Sequence, residues 1–162
     1  MFTTLNQIRA KFPCATGWKT LLAFLNKTQA DDDPINIATI IDSNGLDDAI
    51  WCLRAVNGKD KEIRLYVVWC ARQVQHLMPD KRSRDAIDVA ERFANGEATQ
   101  EELNSARDAA YVAWGASSSA AYAAGAAVWC VALPSDRAAA MPDYSNASLG
   151  DIQEAHLREI CQ

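Results

Sequence analysis

The sequence predicts an all-α protein, a single-domain bundle of about six to eight helices that includes a long alanine-rich helix. Its length of 162 residues suits one domain, spanning residues 1–162. Hydrophobic residues make up 49% and charged residues 23%, which is typical of globular proteins and excludes wholesale disorder. The seven glycines and five prolines are few and interrupt apolar repeats of helical period. No window alternates convincingly at period two, so we expect little or no sheet.

The first part of the chain contains several short helical patterns. Leu5, Ile8 and Phe12 form a stripe that predicts a first helix ended by Pro13. Gly45 ends a later helical turn, because a glycine readily adopts the positive φ of a helix C-terminus. The helices predicted after the first one cover residues 16–27, a turn around 37–41, and 46–56.

The rest of the chain favours longer helices, over residues 60–77, 83–94, about 100–131 and from 148 onward. Thr99 and Glu102 have the spacing of a capping box, in which each side chain bonds the other residue's backbone N–H. Residues 136–147 lack a pattern and are predicted to be a loop. The last helix is predicted to bury an apolar side made of Ile152, Ala155 or His156, and Ile160.

The five cysteines do not suggest a metal site. Their number is odd, no C-x-x-C pair occurs, and neither histidine lies at ligand spacing from them. We therefore expect no metal and no cofactor, and we expect the cysteines to be small buried apolar residues. The cysteines are Cys14, Cys52, Cys70, Cys130 and Cys161.

Targeting and membrane signals are weak. No signal peptide is visible at the start, which favours a cytoplasmic location with reduced thiols. Residues 109–135 are uncharged and long enough to span a bilayer, but their alanine, serine and glycine content disfavours insertion. We expect no membrane contact. The small side chains suit close helix packing within one chain, or a homodimer through this alanine-rich helix.

The charge balance disfavours direct binding to nucleic acid. The net charge is -5, whereas phosphate contacts need a basic face. An acidic stretch has two interpretations: solvated loops with helix N-terminal charge, or an anionic face for a basic partner. It contains Asp31, Asp32, Asp33, Asp42, Asp47 and Asp48.

No residue pattern points to catalysis. His76 lies on a helix without a nucleophile motif, and the common nucleotide-binding and zinc-hydrolase motifs are absent from the sequence. Arg54 and Arg72 each follow a tryptophan by three residues. They suit either core ion pairs, with Asp42, Asp47 or Asp88 as partners, or a protein interface, where tryptophan and arginine are favoured.

Three segments together resemble a known family. They are Pro13-Cys14-Ala15-Thr16-Gly17, the run Asp-Ser-Asn-Gly-Leu-Asp-Asp-Ala-Ile-Trp at 42–51, and residues 94–103 with the alanine-rich run behind them. The pattern resembles the immunity-protein family of bacteria and phages over about residues 4–132, leaving a C-terminal loop and helix at 136–162. The resemblance implies an all-helical protein that binds and neutralises a toxin, and it implies no catalytic residues. The uncharged run at 111–133 departs from the family pattern, so the partner surface is expected to differ.

These observations favour a non-catalytic protein of the immunity type that neutralises a protein partner with a basic surface by stoichiometric binding. The alternatives are a phage-encoded anti-defence or host-takeover inhibitor, an enzyme for a small ligand with Arg54, Arg72 and His76 around a pocket, and a subunit that packs its alanine-rich helix against a second copy. The residues expected to contact the partner are Asp42, Asn44, Asp47, Asp48, Trp51, Arg54, Arg72 and His76.

Overall fold

The computed structural model describes residues 1–116 and 147–162, whose regular elements are helices and one small sheet joined by loops. The α-helices are α1 (Leu5–Arg9), α2 (Ala15–Phe24), α3 (Ile37–Asn44), α4 (Leu46–Cys52), α5 (Asp60–Val74), α6 (Lys81–Ala94), α7 (Gln100–Ala116) and α8 (Ala147–Ile160). Short 3-10 turns at Leu53–Ala55 and Gln75–Leu77 follow α4 and α5. The all-α prediction is confirmed. Beyond Ala116, the predicted long alanine-rich helix lies outside the described residues. Residues 136–146 of the predicted loop and most of the uncharged run at 109–135 also lie outside them.

The chain divides into two compact units. The first contains Met1–Lys59 and Asn146–Gln162, and the second contains Asp60–Ser145. Each unit is described by itself below. The prediction of one domain over residues 1–162 stays a prediction.

The first unit is built around short helices and one strand pair. Strand β1 (Phe2–Thr3) runs antiparallel to β2 (Ile35–Asn36), with Thr3 opposite Ile35. Thr3 is buried, and its hydroxyl donates a hydrogen bond of 2.7 Å to the carbonyl of Ala55. The apolar core around this pair includes Leu5, Ile8, Leu21, Ile37, Ile40 and Leu157.

The predicted end of the first helix was wrong. Helix α1 ends at Arg9, and Phe12 has a positive φ of 58° with 90% of its surface exposed. Pro13 supplies the physical reason, because a proline ring disfavours helical backbone in the residue before it. The stripe of Leu5 and Ile8 is therefore buried, whereas Phe12 projects into solvent.

The predicted inward face of the last helix was also wrong. Helix α8 buries Gln153 and Leu157, and Cys161 directly after the helix is also buried, whereas Ile152 is 51% exposed. These buried positions are spaced by four residues, so they lie on one face, next to the predicted one. Helix α8 packs against α3, and the C-terminal residues follow this face into the core. The carbonyl of Cys161 accepts a hydrogen bond of 3.1 Å from the side-chain amide of Asn36.

The second unit has α6 packed against both α5 and α7. The spacing of Ile63, Val67, Cys70, Val74 and Leu77 predicts one apolar stripe over residues 60–77. The first three are buried as expected, whereas Leu77 is 57% exposed because the α-helix ends at Val74 and a 3-10 turn follows. The predicted capping box is confirmed at the start of α7. The N–H of Thr99 donates to the Glu102 carboxylate at 2.7 Å, and the N–H of Glu102 donates to the Thr99 hydroxyl at 3.2 Å.

Candidate functional site

A pocket in the first unit is the candidate site, and we call it the α2–α4 pocket. It has a volume of about 90 Å³ and is partly open to solvent. Residues from α1, α2, α3, α4 and the loop before α2 surround it, and most of its surface is apolar. The lining residues are Ile8, Pro13, Cys14, Gly17, Trp18, Leu21, Ile40, Asn44, Asp48, Trp51 and Cys52.

Gly17 allows α2 to approach the Asp48 carboxylate closely. A Cβ atom at position 17 would lie 2.5 Å from Asp48 Oδ2 and 3.3 Å from Cys14 Sγ. Real Cβ atoms essentially never come within the first of these distances, so with any larger residue at position 17 the Asp48 carboxylate would have to shift. Cys14 is exposed and caps α2, with its sulfur accepting the Gly17 N–H at 3.3 Å.

Asn44 holds the carboxylate side of the pocket together. Its side-chain amide donates to the Gly17 carbonyl at 2.9 Å and to Asp48 Oδ2 at 2.7 Å. Its own oxygen accepts from the Ser43 hydroxyl at 2.6 Å. Helix α3 ends at Asn44 and α4 begins at Leu46, because Gly45 adopts a positive φ of 88°. This tight junction brings Asn44 and Asp48 onto the same pocket wall.

Trp51 closes the pocket at the far end of α4, and Arg54 covers one face of its ring. The Arg54 guanidinium carbon lies 4.2 Å from the ring centroid, and its Nε donates to the Trp51 carbonyl at 2.8 Å. Burial lowers the pKa of Arg54. Burial, with a smaller effect of the Asp48 charge, raises the pKa of the neighbouring Cys52 thiol to about 12. The Cys52 thiol is therefore uncharged at pH 7, where it forms part of the pocket wall.

Several carboxylates of the acidic stretch already have basic partners. Lys27 contacts Asp31 at 2.5 Å and Asp33 at 2.6 Å. Arg158 of α8 contacts Asp42 at 2.7 Å. Asp47 lies exposed in the first turn of α4, one residue before the pocket carboxylate. Asp31, Asp33 and Asp42 of the acidic stretch are thus paired with basic side chains, whereas Asp32 and Asp47 are exposed.

The second unit holds Arg72 and His76. Arg72 contacts Asp88 at 2.8 Å and also pairs with Glu91, so the predicted pairing with Asp88 is confirmed. His76 is exposed in the 3-10 turn after α5. Arg54, Arg72 and His76 are not among the residues that line the α2–α4 pocket. The arrangement of Arg72 is that of an ion pair between α5 and α6.

Sequence reasoning selected Asn44, Asp48 and Trp51 of the pocket but missed the wall formed by α2. Cys14 was expected to be buried, and its exposure corrects that prediction, whereas Cys52, Cys70 and Cys161 are buried as expected. Cys130 lies outside the described residues. The glycine at position 17, inside a helix, was the available signal, because a helical glycine often marks a close approach.

Metal-ligand clusters and membrane-spanning helices are both absent from residues 1–116 and 147–162. In these ranges no group of three or more histidine, cysteine, aspartate or glutamate side chains has the arrangement of a metal site. None of the helices in the same ranges combines the length and the apolar content that crossing a bilayer requires.

The chemistry available in the α2–α4 pocket is recognition of an apolar group that bears a positive charge. Its walls bury apolar surface, and its polar side presents one carboxylate oriented by an amide. Comparisons of the chain with protein-family models, with curated proteins and with solved structures found no match.

Proposed function

We propose that the protein is a non-catalytic binding protein of the immunity type, and that it neutralises a protein partner by stoichiometric binding through the α2–α4 pocket and its rim. One observation supports this most directly. The segments 13–17 and 42–51, which carry the family resemblance, converge on the α2–α4 pocket although they are far apart in sequence.

The rim, by which we mean the residues Phe12, Asp47 and Arg54 beside the pocket lining, has the composition of a protein-binding surface. Phe12, which is 90% exposed, directly precedes the pocket residue Pro13. The Arg54 guanidinium lies over the Trp51 ring, and tryptophan and arginine are the residues that most often dominate interface energies. Phe12 therefore adds exposed apolar surface next to a pocket residue, which supports the proposal of an interaction site here.

The charge of the rim selects the partner. Asp47 and Asp48 adjoin the pocket, and the chain carries a net charge of -5. A basic partner surface is complementary to this face and is attracted to it at low ionic strength. A toxin and a host or defence protein would bind through the same chemistry, so the identity of the captured partner separates immunity from the anti-defence alternative.

Reversible blocking of Cys14 tests this proposal. A small methanethiosulfonate reagent adds a group to the exposed thiol as a mixed disulfide, and a reductant removes it. Tagged protein is incubated with lysate of its host before blocking, after blocking, and after reduction. We expect one stoichiometric partner that is lost on blocking, regained on reduction, and released by high salt.

The matched control is Cys14→Ser treated with the same reagent, which accounts for labelling at any other thiol. Circular dichroism and thermal unfolding check that the blocked protein keeps its fold. Equal capture of the partner by blocked and unblocked protein would contradict a role for this pocket. Absence of any stoichiometric partner would contradict the binding function itself.

A further inference from the structure

We infer that the α2–α4 pocket receives a lysine side chain of the partner, with the ammonium group bound by Asp48. This inference rests on the proposed function and specifies what the partner inserts. Lysine has an apolar four-carbon stem that ends in a compact charge. Such a side chain combines the two properties of the pocket, apolar walls and one carboxylate.

The walls suit the stem. Ile8, Leu21 and Ile40 are buried core residues that line the pocket, together with Trp18 and Trp51. An aliphatic stem buried there leaves water without exposing any polar group. A carboxylate-bearing side chain would instead meet the charge of Asp48.

The polar side favours an ammonium over a guanidinium. Oδ2 of Asp48 already accepts the Asn44 amide at 2.7 Å and lies against Gly17. Among the described residues, the contacts of the Asp48 carboxylate thus involve Oδ2, and the other oxygen, Oδ1, is left for a ligand. Arginine prefers to bind both oxygens of a carboxylate, whereas an ammonium needs only one.

The aromatic wall gives the same preference. Arg54 already covers one face of the Trp51 ring, with its guanidinium carbon 4.2 Å from the centroid. An incoming arginine would lose that face for stacking and would place a second guanidinium near the first. A lysine ammonium directed at Asp48 has no need of the ring face.

Small probes test the inference without the partner. The probes are n-butylamine, n-butanol and n-butylguanidine at equal ionic strength and pH 7, where the amine is protonated. Binding is followed by NMR at the indole N–H groups of Trp18 and Trp51. We expect saturable shifts with roughly millimolar affinity for the amine, and about tenfold weaker binding for the alcohol and the guanidine.

A matched pair of variants identifies the charge. Asp48→Asn keeps the shape of the side chain and an oxygen for the Asn44 amide, and we expect it to weaken amine binding about tenfold or more. Asp47→Asn removes the same charge from the neighbouring exposed residue, and we expect a change of about twofold or less. Equal losses in the two variants would show general electrostatic attraction and would overturn the inference.

A peptide arm tests whether the occupant is a protein side chain. Nα-acetyl-lysine methylamide, which keeps the charged side-chain ammonium, is expected to bind as butylamine does. The same compound acetylated also at Nε has lost that charge and is expected not to bind. Binding of butylamine without the lysine amide would overturn the inference, as would equal binding of butanol or tighter binding of butylguanidine. If no probe binds but a Cys14-dependent partner is captured, the lysine inference is overturned and the proposed function stands. Binding of the probes without a protein partner would contradict the proposed function instead.

Discussion

Gly17→Ala separates the close approach of α2 to Asp48 from the ordinary effect of removing a helical glycine. The added Cβ would lie 2.5 Å from Asp48 Oδ2, so the carboxylate must move. That oxygen accepts the Asn44 amide at 2.7 Å, and its displacement breaks a hydrogen bond to a charged group. The substitution therefore has two effects of opposite sign on the free energy of unfolding.

The magnitudes decide the sign. Replacing a helical glycine by alanine stabilises by about 0.5–1 kcal/mol. Losing a hydrogen bond to a charged group costs about 1.5–3 kcal/mol. Gly17→Ala should therefore destabilise the protein by about 0.5–2.5 kcal/mol in total. With Asp48→Ala already present the 2.5 Å collision is removed and only the 3.3 Å approach to Cys14 Sγ remains, so the same change should stabilise by up to about 1 kcal/mol.

Urea unfolding of the four proteins of this double-mutant cycle measures the coupling between positions 17 and 48, expected to be about 1.5–3 kcal/mol. Gly150→Ala is the matched control, because a Cβ atom there meets nothing within 4 Å in helix α8. The control should be stabilised by about 0.5–1 kcal/mol. An equal effect of Gly17→Ala in both backgrounds would refute the close-approach argument.

Three other predictions concern two helix caps and one buried thiol. Thr99→Ala should lower the free energy of unfolding by about 1 kcal/mol in a urea titration, because the Glu102 N–H loses its acceptor at 3.2 Å; an unchanged midpoint would contradict this. Burial raises the pKa of Cys52 from 9.0 to about 12, so the neutral thiol stabilises the fold below pH 9 and this contribution is lost as the pH rises toward 12. In Cys52→Ala the free energy of unfolding should fall less steeply at alkaline pH, by up to about 1.4 kcal/mol per pH unit. Parallel pH profiles of the variant and the unaltered protein would refute burial of the Cys52 thiol as the cause. A hydrogen bond from Arg82 lowers the pKa of Asp80, the N-cap of α6, from 3.8 to about 2. The ionised carboxylate therefore stabilises the fold above pH 3.8, and this stabilisation is lost as the pH falls through 2. Asp80→Asn should make the melting temperature depend less on pH over that range, and an unchanged acid profile would exclude this stabilising role of Asp80.

Local sequence patterns predicted the helices well where each pattern is self-contained. The capping box of Thr99 and Glu102 and the glycine that ends α3 depend on backbone groups within a few residues. The inward face of α8 did not follow from its own residues. It buries Gln153 and exposes Ile152, because its orientation depends on how it packs against α3.

The candidate site shows the same division. The residues of α4 that face the pocket lie in a contiguous motif, so the sequence singled them out. Cys14 and Gly17 became part of the site only because the fold brings α2 against α4. The pairing of Asp42 with Arg158 joins residues from opposite ends of the chain, and no local pattern predicts it.

The sequence by itself determined the all-α class, most helix ends and the acidic character around the start of α4. Periodicity, capping and composition act over a few residues, and one chain contains that information in linear order. The tertiary structure alone decided which charges are paired, that Phe12 projects into solvent, and that a glycine, an amide and a carboxylate meet beside two tryptophans. These features depend on distances between segments remote in sequence, which packing of the complete core determines.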